Sequence, residues 1–252
     1  MAERDLPKVE ARVRFPYAAP FYFCGDTMPF LTELHAHTSE TSNCGKTSAG
    51  DTVEAYIREG YSTLVITDHL STHTYFKYDY DNMSWDEKID VFLLGYKAAL
   101  EAAKGRINVL LGMELRFDID NNNNDYLVFG IDEAFLRNSG DLINMNIKTF
   151  SPLAHENGLM IFQAHPFRTE MTITKPKYLD GIEVYNGCVR HNSNNDIAEM
   201  WADKYELKKS SGSDAHEPGD EAHGGIITEA EIKTNEDLIK VLESGNYRLI
   251  KK

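Results

Sequence analysis

Short apolar runs alternate with amphipathic segments along most of this chain, and this alternation most strongly constrains its fold. The runs YSTLVIT (61–67) and INVLLGM (107–113) have the length and apolar content of buried strands. Between such runs, apolar residues recur at helical spacing, as in residues 51–60 and 84–103. Regular alternation of strands and helices is typical of a parallel sheet covered by helices.

The number of strand and helix units favours a closed barrel over an open sheet. The 252 residues provide about seven such units, and no glycine-rich dinucleotide or phosphate-loop signature indicates a doubly wound sheet. The chain is therefore predicted to be α/β, with a single domain over residues 1–252. Residues 1–30, where aromatic side chains are interrupted by Pro16 and Pro20, are expected to form an arm packed on the barrel.

Histidines and carboxylates recur at or just after the ends of the predicted strands. The set comprises His35, His37, Asp68, His69, Glu114, His165, Glu183, Asp214 and His216. The carboxyl ends of barrel strands converge at one mouth, so these side chains are expected to lie together. There are more candidate ligands than one ion can bind, and the pattern therefore predicts two to three divalent ions. Mixed nitrogen and oxygen ligands suit Zn²⁺, Mn²⁺ or Fe²⁺ better than Ca²⁺.

Composition restricts the partners and the compartment. A net charge of −14 repels duplex nucleic acid, whereas the repulsion of a small anionic substrate is weaker. The three cysteines form no CxxC pair, and no run of eighteen apolar residues indicates a membrane span. We therefore expect a cytoplasmic protein that binds neither a membrane nor duplex nucleic acid; the sequence does not predict its oligomeric state.

An ordered series of motifs resembles the PHP (polymerase and histidinol phosphatase) domain family of metal-dependent phosphoesterases. The motifs lie within residues 31–216 and are His35-x-His37, Thr67-Asp68-His69, Glu114, Ala164-His165-Pro166 and Ser213-Asp214-Ala215-His216. The resemblance implies a distorted (β/α)7 barrel with a trinuclear metal centre at the carboxyl ends of the strands.

The resemblance also implies how the ligands are shared among three ions. The first ion would be held by His35, His37, Glu114 and Asp214. Glu114 would bridge to the second ion, which His165 helps to bind, and His69 and His216 would hold the third.

Two positions depart from the pattern of this family. The loop that usually completes the third site with a histidine or an aspartate offers Glu40, Asn43 and Cys44. The histidine that usually binds the second ion has no counterpart, and Asp125 is the nearest candidate. Glu40 and Asp125 are therefore included among the expected metal ligands.

Further residues are candidates for binding substrate or for orienting the ligands. Arg168, three residues after His165, is expected to bind a phosphate group; the alternative is a surface salt bridge. Asn186, Arg190 and His191 follow a site strand and could reach the same group. Asp68 is expected to accept a hydrogen bond from an imidazole, as is Glu183, unless Glu183 is simply a buried strand carboxylate.

These residues predict a metal-dependent phosphoesterase that hydrolyses a small phosphomonoester, a phosphorylated metabolite or nucleotide, with water activated by the ions. Arg168 would neutralise phosphate oxygens, and His216 or Asp214 would protonate the leaving group. The alternatives are a phosphodiesterase or exonuclease acting on short oligonucleotides, and a non-catalytic metal-binding domain.

Overall fold

The computed structural model describes residues 29–119 and 123–252. Residues 1–28 of the predicted arm lie outside the described residues, so the packing of the arm stays a prediction.

Eleven strands are found in the described part of the chain. They are β1 (Phe30–Ala36), β2 (Thr63–Ile66), β3 (His69–Leu70), β4 (Asn108–Leu111), β5 (Met113–Arg116), β6 (Asp125–Phe129), β7 (Met160–Gln163), β8 (Gly181–Asn186), β9 (Lys208–Gly212), β10 (Ile226–Thr228) and β11 (Arg248–Leu249). They form one sheet of order β11-β10-β1-β2-β4 and a second of order β3-β5-β6-β7-β8-β9.

Helices connect many of these strands. They are α1 (Ala49–Arg58), α2 (Trp85–Phe92), α3 (Leu94–Ala103), α4 (Glu133–Asn138), α5 (Ile147–Glu156), α6 (Asn195–Tyr205) and α7 (Asn235–Ser244). The helix expected over residues 84–103 is two helices, α2 and α3, separated at Leu93. Among the described residues, we find no helix with the length and hydropathy needed to cross a membrane.

The fold is mixed α/β with two sheets, and the predicted closed (β/α)7 barrel is not found. Strand β6 runs antiparallel to both β5 and β7, and β10 runs antiparallel to β1. The connection between β5 and β6 spans only residues 117–124. A parallel crossover requires a dozen or more residues, so this connection reverses the strand direction.

The two sheets meet where β1 ends. Ala36 forms an isolated parallel bridge with Ala215, in the segment that follows β9. The backbone N–H of His37 donates to Ala215 O (3.1 Å), and that of Asp214 donates to His35 O (2.9 Å). These bonds place Asp214 directly beside His35 and His37, at the end of β1.

An apolar core supports this junction. Leu34, Val65, Leu127, Phe129 and Phe162 have no exposed surface and pack in one cluster, which also receives side chains of α7. Burying each such side chain contributes about 1.5–3 kcal/mol to stability. The residues at the strand ends are thus held on a closely packed base.

Candidate metal centre

His35 lies on β1 and His37 directly after its last residue, and each directs one nitrogen to the same point. Their Nε2 atoms are 3.1 Å apart, and Asp214 Oδ1 lies 3.4 Å from His35 Nε2 and 3.3 Å from His37 Nε2. All three side chains are buried, with at most 2% of their surface exposed. Ligand atoms of these residues lie within 4.8 Å of one another, which fits one divalent ion.

Glu114, on β5, lies at the centre of the cluster. Its Oε1 is 3.1 Å from His165 Nε2 and 3.5 Å from His35 Nε2. Its Oε2 faces another pair, His69 Nδ1 at 2.9 Å and His37 Nε2 at 3.3 Å. Although Oε2 is buried, it has no partner with hydrogen-bond geometry among the described residues. A carboxylate whose oxygens face separate sets of imidazoles is suited to bridging two ions.

The charges of the cluster also suit cations. Burial alone would raise the pKa of Glu114, but the charges of His69 and His35 hold it well below its usual range. Burial likewise raises the pKa of Asp214, but His35, His37 and the other histidines together hold that pKa well below its usual range. Buried carboxylates that stay ionised require compensating positive charge, which divalent ions supply.

Two residues of the cluster adopt unusual backbone conformations. His165, just after β7, has φ = +28°, and Asp214 has φ = +52°. Non-glycine residues are rarely found in this region, and such strain is concentrated at functional sites. The amide N–H of His165 donates to Glu183 Oε2 (2.9 Å), which helps to hold this conformation.

Glu183, on β8, connects the metal-binding candidates to one another. Its Oε1 accepts a hydrogen bond from His35 Nδ1 (2.9 Å), which leaves His35 Nε2 facing the cluster. Its Oε2 also accepts from Asn186 Nδ2 (2.9 Å), and the same amide donates to Asp214 Oδ2 (3.1 Å). Such acceptors fix the tautomer and the orientation of a ligating imidazole.

Asp68 is placed differently from the expectation, because it contacts no imidazole. It accepts hydrogen bonds from Thr38 N (2.7 Å), Thr38 Oγ1 (2.6 Å) and Ser42 Oγ (2.7 Å). Ser42 Oγ lies 3.3 Å from His37 Nδ1, so Asp68 reaches the histidine through this serine. Burial raises the pKa of Asp68 to about 6, against the lowering effect of these hydrogen bonds.

The third group of donors comprises His37, His69 and His216, whose ligand atoms lie within 4.8 Å of one another. Glu40, expected to complete this group, is not part of it. Its exposed carboxylate accepts from Ala49 N (2.9 Å) at the start of α1, where free N–H groups and the helix dipole attract a negative charge. Asn43 instead donates to His73 O.

Cys44 is the residue of this loop that reaches the histidines. Its thiol lines the cleft over the cluster together with the side chains of His216 and His69. Burial would raise its pKa, but these histidines lower the pKa of Cys44 to about 6. The loop is held in place because Lys46 N donates to His216 O (2.6 Å).

We expect Cys44→Ser to weaken zinc retention at His69 and His216 by tenfold or more, because thiolate is a far better zinc ligand than a hydroxyl group. Elemental analysis after dialysis against graded chelator measures this effect. The matched control is Cys188→Ser, since Cys188 is buried and is not among the side chains at this pair of histidines. Equal zinc retention in both variants and in the unmodified protein would contradict the assignment.

Asp125, on β6, is close to the cluster but already has a partner. Its Oδ1 accepts from Arg116 Nε (2.7 Å) and its Oδ2 from Arg116 Nη2 (2.6 Å). His165 Nε2 lies 3.9 Å from Oδ2, and Arg168 Nη2 lies 3.8 Å from it. A ligand atom of Asp125 is also within 4.8 Å of ligand atoms of His69 and Glu114.

A cleft of about 490 Å³ opens over the cluster and is lined by cationic side chains. They are Lys46, Arg116, Arg168 and Arg190. Arg190 is paired with Asp220 Oδ1 and Oδ2 (both 2.6 Å), and His191 lies beside it on the cleft wall. Asn186, expected to contact substrate, is only 5% exposed and lies behind Asp214, with its amide group already bonded.

Sequence reasoning missed Arg116 and Glu33. Arg116 alternates with Glu114 along β5, a spacing that could have indicated the same face. Glu33 has no exposed surface and accepts hydrogen bonds from His35 N (2.9 Å), Ser213 N (2.9 Å) and Tyr56 Oη (2.8 Å). It thereby joins β1, α1 and the segment after β9 beneath the site.

Comparison with known proteins gives a family match and several structural neighbours. The model of the PHP domain matches residues 33–241. No curated protein matches the chain. One neighbour is a two-domain Bacteroides vulgatus protein containing a predicted PHP-like metal-dependent phosphoesterase, with a TM-score of 0.60 and 17% identity. That match covers 89% of this chain and 65% of the neighbour, so this chain spans less than two thirds of the two-domain protein.

Two further structures share the fold. PsfC from Pseudomonas syringae has a TM-score of 0.62 and 14% identity, and the match covers 84% of this chain and 88% of PsfC. An amidohydrolase from Chromobacterium violaceum, with bound sulfate and no metal, has a TM-score of 0.55 and 16% identity. In that case the match covers 87% of this chain and 97% of the neighbour.

Proposed function

Because this chain belongs to the PHP domain family, we propose that it is a metal-dependent phosphoesterase that hydrolyses a small phosphomonoester. The observation that carries the proposal is the position of Glu114, whose two oxygens face separate pairs of imidazoles beneath a cationic cleft. The buried donors and the ionised carboxylates fit divalent ions, and we propose Zn²⁺, Mn²⁺ or Fe²⁺.

His35, His37, Glu114 and Asp214 would hold the first ion, and His69 and His216 another, with Cys44 as the proposed further ligand. When bound, such ions lower the pKa of water and neutralise charge on phosphate oxygens. Glu183 would keep His35 oriented through the 2.9 Å bond to Nδ1.

The residues of the cleft would bind and orient the substrate. A volume of about 490 Å³ is within the range for a small-molecule site. Arg168, whose side chain is 22% exposed, would bind non-bridging phosphate oxygens, and His191 would line the same cleft. Because His216 would bind an ion and its Nδ1 lies 2.9 Å from Asp214 O, the leaving alkoxide would take its proton from water rather than from this imidazole.

The test is turnover by protein reconstituted separately with each metal, measured on a panel of phosphorylated metabolites and nucleotides. Phosphodiesters and amides are the comparison substrates. Hydrolysis of phosphomonoesters that depends on added metal supports the proposal. Faster hydrolysis of an amide, or no hydrolysis at all by protein with bound metal, contradicts it.

The alternative of an exonuclease acting on short oligonucleotides is less well supported. Stacking of bases requires aromatic side chains, and the described residues that line the cleft include no Phe, Tyr or Trp. The net charge of −14 also disfavours a polyanion. A small phosphorylated metabolite or nucleotide is therefore the proposed substrate.

We expect Arg168→Lys to lower kcat/KM by about tenfold, or about 1.4 kcal/mol, because a lysine cannot bind two phosphate oxygens in one plane. The metal content should not change, because a protonated guanidinium has no lone pair with which to bind an ion. The only carboxylate near Arg168 Nη2 among the described ion pairs is Asp125, at 3.8 Å. Steady-state kinetics with elemental analysis measure both quantities. Unchanged kinetics in both Arg168→Lys and Arg168→Ala would assign Arg168 to a surface salt bridge.

A further inference from the structure

Asp125 is fully engaged by a guanidinium group. Both of its oxygens accept hydrogen bonds from Arg116, at 2.7 and 2.6 Å, in the fork geometry that makes arginine–carboxylate pairs strong. The Asp125 side chain is 1% exposed, and that of Arg116 is 24% exposed. A buried carboxylate that has this partner does not need a metal ion for charge compensation.

An ion at Asp125 would also meet a fixed positive charge. It would have to share an oxygen that already lies 2.6 Å from Arg116 Nη2, and Arg168 Nη2 is 3.8 Å from the same oxygen. A guanidinium stays protonated at every relevant pH, so it cannot give way by losing a proton. The two arginines therefore disfavour a cation beside Asp125.

The pair leaves part of Arg116 free to bind an anion. Only Nε and one hydrogen of Nη2 are used by Asp125, so both hydrogens of Nη1 remain without a partner in the part of the chain described here. The side chain lines the cleft over Glu114 and His165, together with Arg168. The carboxylate fixes the guanidinium plane, which lowers the entropy cost of binding a ligand.

We propose that Arg116 takes the place of a metal ion at Asp125 and binds the substrate phosphate with its Nη1 side, next to Arg168. This inference rests on the proposed function for the identity of the anion. It removes Asp125 from the ligand set, so an ion beside Glu114 Oε1 would be held by His35, Glu114 and His165, whose ligand atoms lie within 4.8 Å of one another. Asp125 is then a positioning residue for Arg116.

The first test counts metal ions without any assay of activity. Asp125→Asn should retain the same number of bound ions as the unmodified protein, measured by elemental analysis after removal of free metal. The double variant Arg116→Met/Asp125→Asn should also retain the same number of ions. It serves if Asp125→Asn alone fails to fold, because it removes the arginine charge that the single variant leaves unpaired. Loss of one equivalent in the folded variants would overturn the inference.

The second test measures binding of inorganic phosphate to the metal-loaded protein by calorimetry. Arg116→Met should weaken the affinity by about tenfold, and Arg116→Lys by nearly as much, because lysine lacks the planar fork. The control is Arg137→Met, which removes an arginine that pairs with Asp90 and Glu133 on the outer surface. Equal phosphate affinity in Arg116→Met and Arg137→Met would overturn the assignment.

The two tests separate this inference from the proposed function. If the unmodified protein binds no phosphate and hydrolyses no phosphoester, the proposed function and the phosphate role of Arg116 are both wrong. The metal count of Asp125→Asn still decides whether Asp125 binds an ion or only pairs with Arg116. If the protein hydrolyses phosphomonoesters but Asp125→Asn loses an ion, the function stands and Asp125 is a metal ligand.

Discussion

Replacing Asp214 by asparagine is expected to abolish nearly all hydrolysis while leaving the fold intact. Asp214 Oδ1 lies 3.4 Å from His35 Nε2 and 3.3 Å from His37 Nε2, so the carboxylate supplies the negative charge of the best-formed donor group. The asparagine keeps the size of the side chain and removes that charge. We expect a loss on the order of a thousandfold in kcat, or about 4 kcal/mol, because the ion it helps to hold activates water.

The measurement is turnover and metal content of purified Asp214→Asn, with circular dichroism to verify the fold. The matched control is Asp180→Asn, because the Asp180 carboxylate also lies beside an imidazole, with Oδ2 3.1 Å from His155 Nε2, but is outside the cluster. The control should remain active. Activity of folded Asp214→Asn close to that of the control would show that the centre is assigned wrongly.

Several site residues could be located from sequence because their positions follow from local rules. His35, on β1, and His37, just after it, are two residues apart and so share a face, while Glu114 occurs on β5 and His165 just after β7. Each is placed by its own strand, so little knowledge of distant contacts was required.

The closed barrel was predicted wrongly because closure depends on how strands pair, which local patterns do not encode. The short connection over residues 117–124 reverses β6 relative to β5. Helix α5 also continues through Pro152, although proline usually interrupts a helix. In these places tertiary packing outweighed the local preference.

The side-chain partners were the least predictable part. Glu40 turns to the N-terminus of α1, and Asp125 pairs with Arg116 on the neighbouring strand β5. Each choice depends on which donor is closest in the folded chain. The sequence could identify carboxylates near the site, but only the structure shows which of them are already neutralised.

Gly212→Ala is expected to damage the site although it replaces no proposed ligand. An alanine Cβ at this position would lie 2.3 Å from His35 Cβ and 2.8 Å from Glu183 Oε1. Non-bonded carbon atoms normally approach to about 3.5–4.0 Å, so β1 and β9 would have to separate by about 1 Å. Displacement of this size can lower kcat by about a hundredfold, and such overpacking costs about 1–3 kcal/mol of stability.

Gly50→Ala is the matched control, because an alanine Cβ there would meet only ordinary contacts, at 3.8 Å from Ser48 Oγ and 4.0 Å from Ala102 Cβ. Gly50 lies in α1, where alanine is favoured over glycine by up to about 1 kcal/mol, so the control should be at least as stable as the unmodified protein. Urea unfolding and metal titration of both variants measure the difference. Gly212→Ala with unchanged stability and metal affinity would mean that His35 and Glu183 are not held by the close approach of β1 to β9.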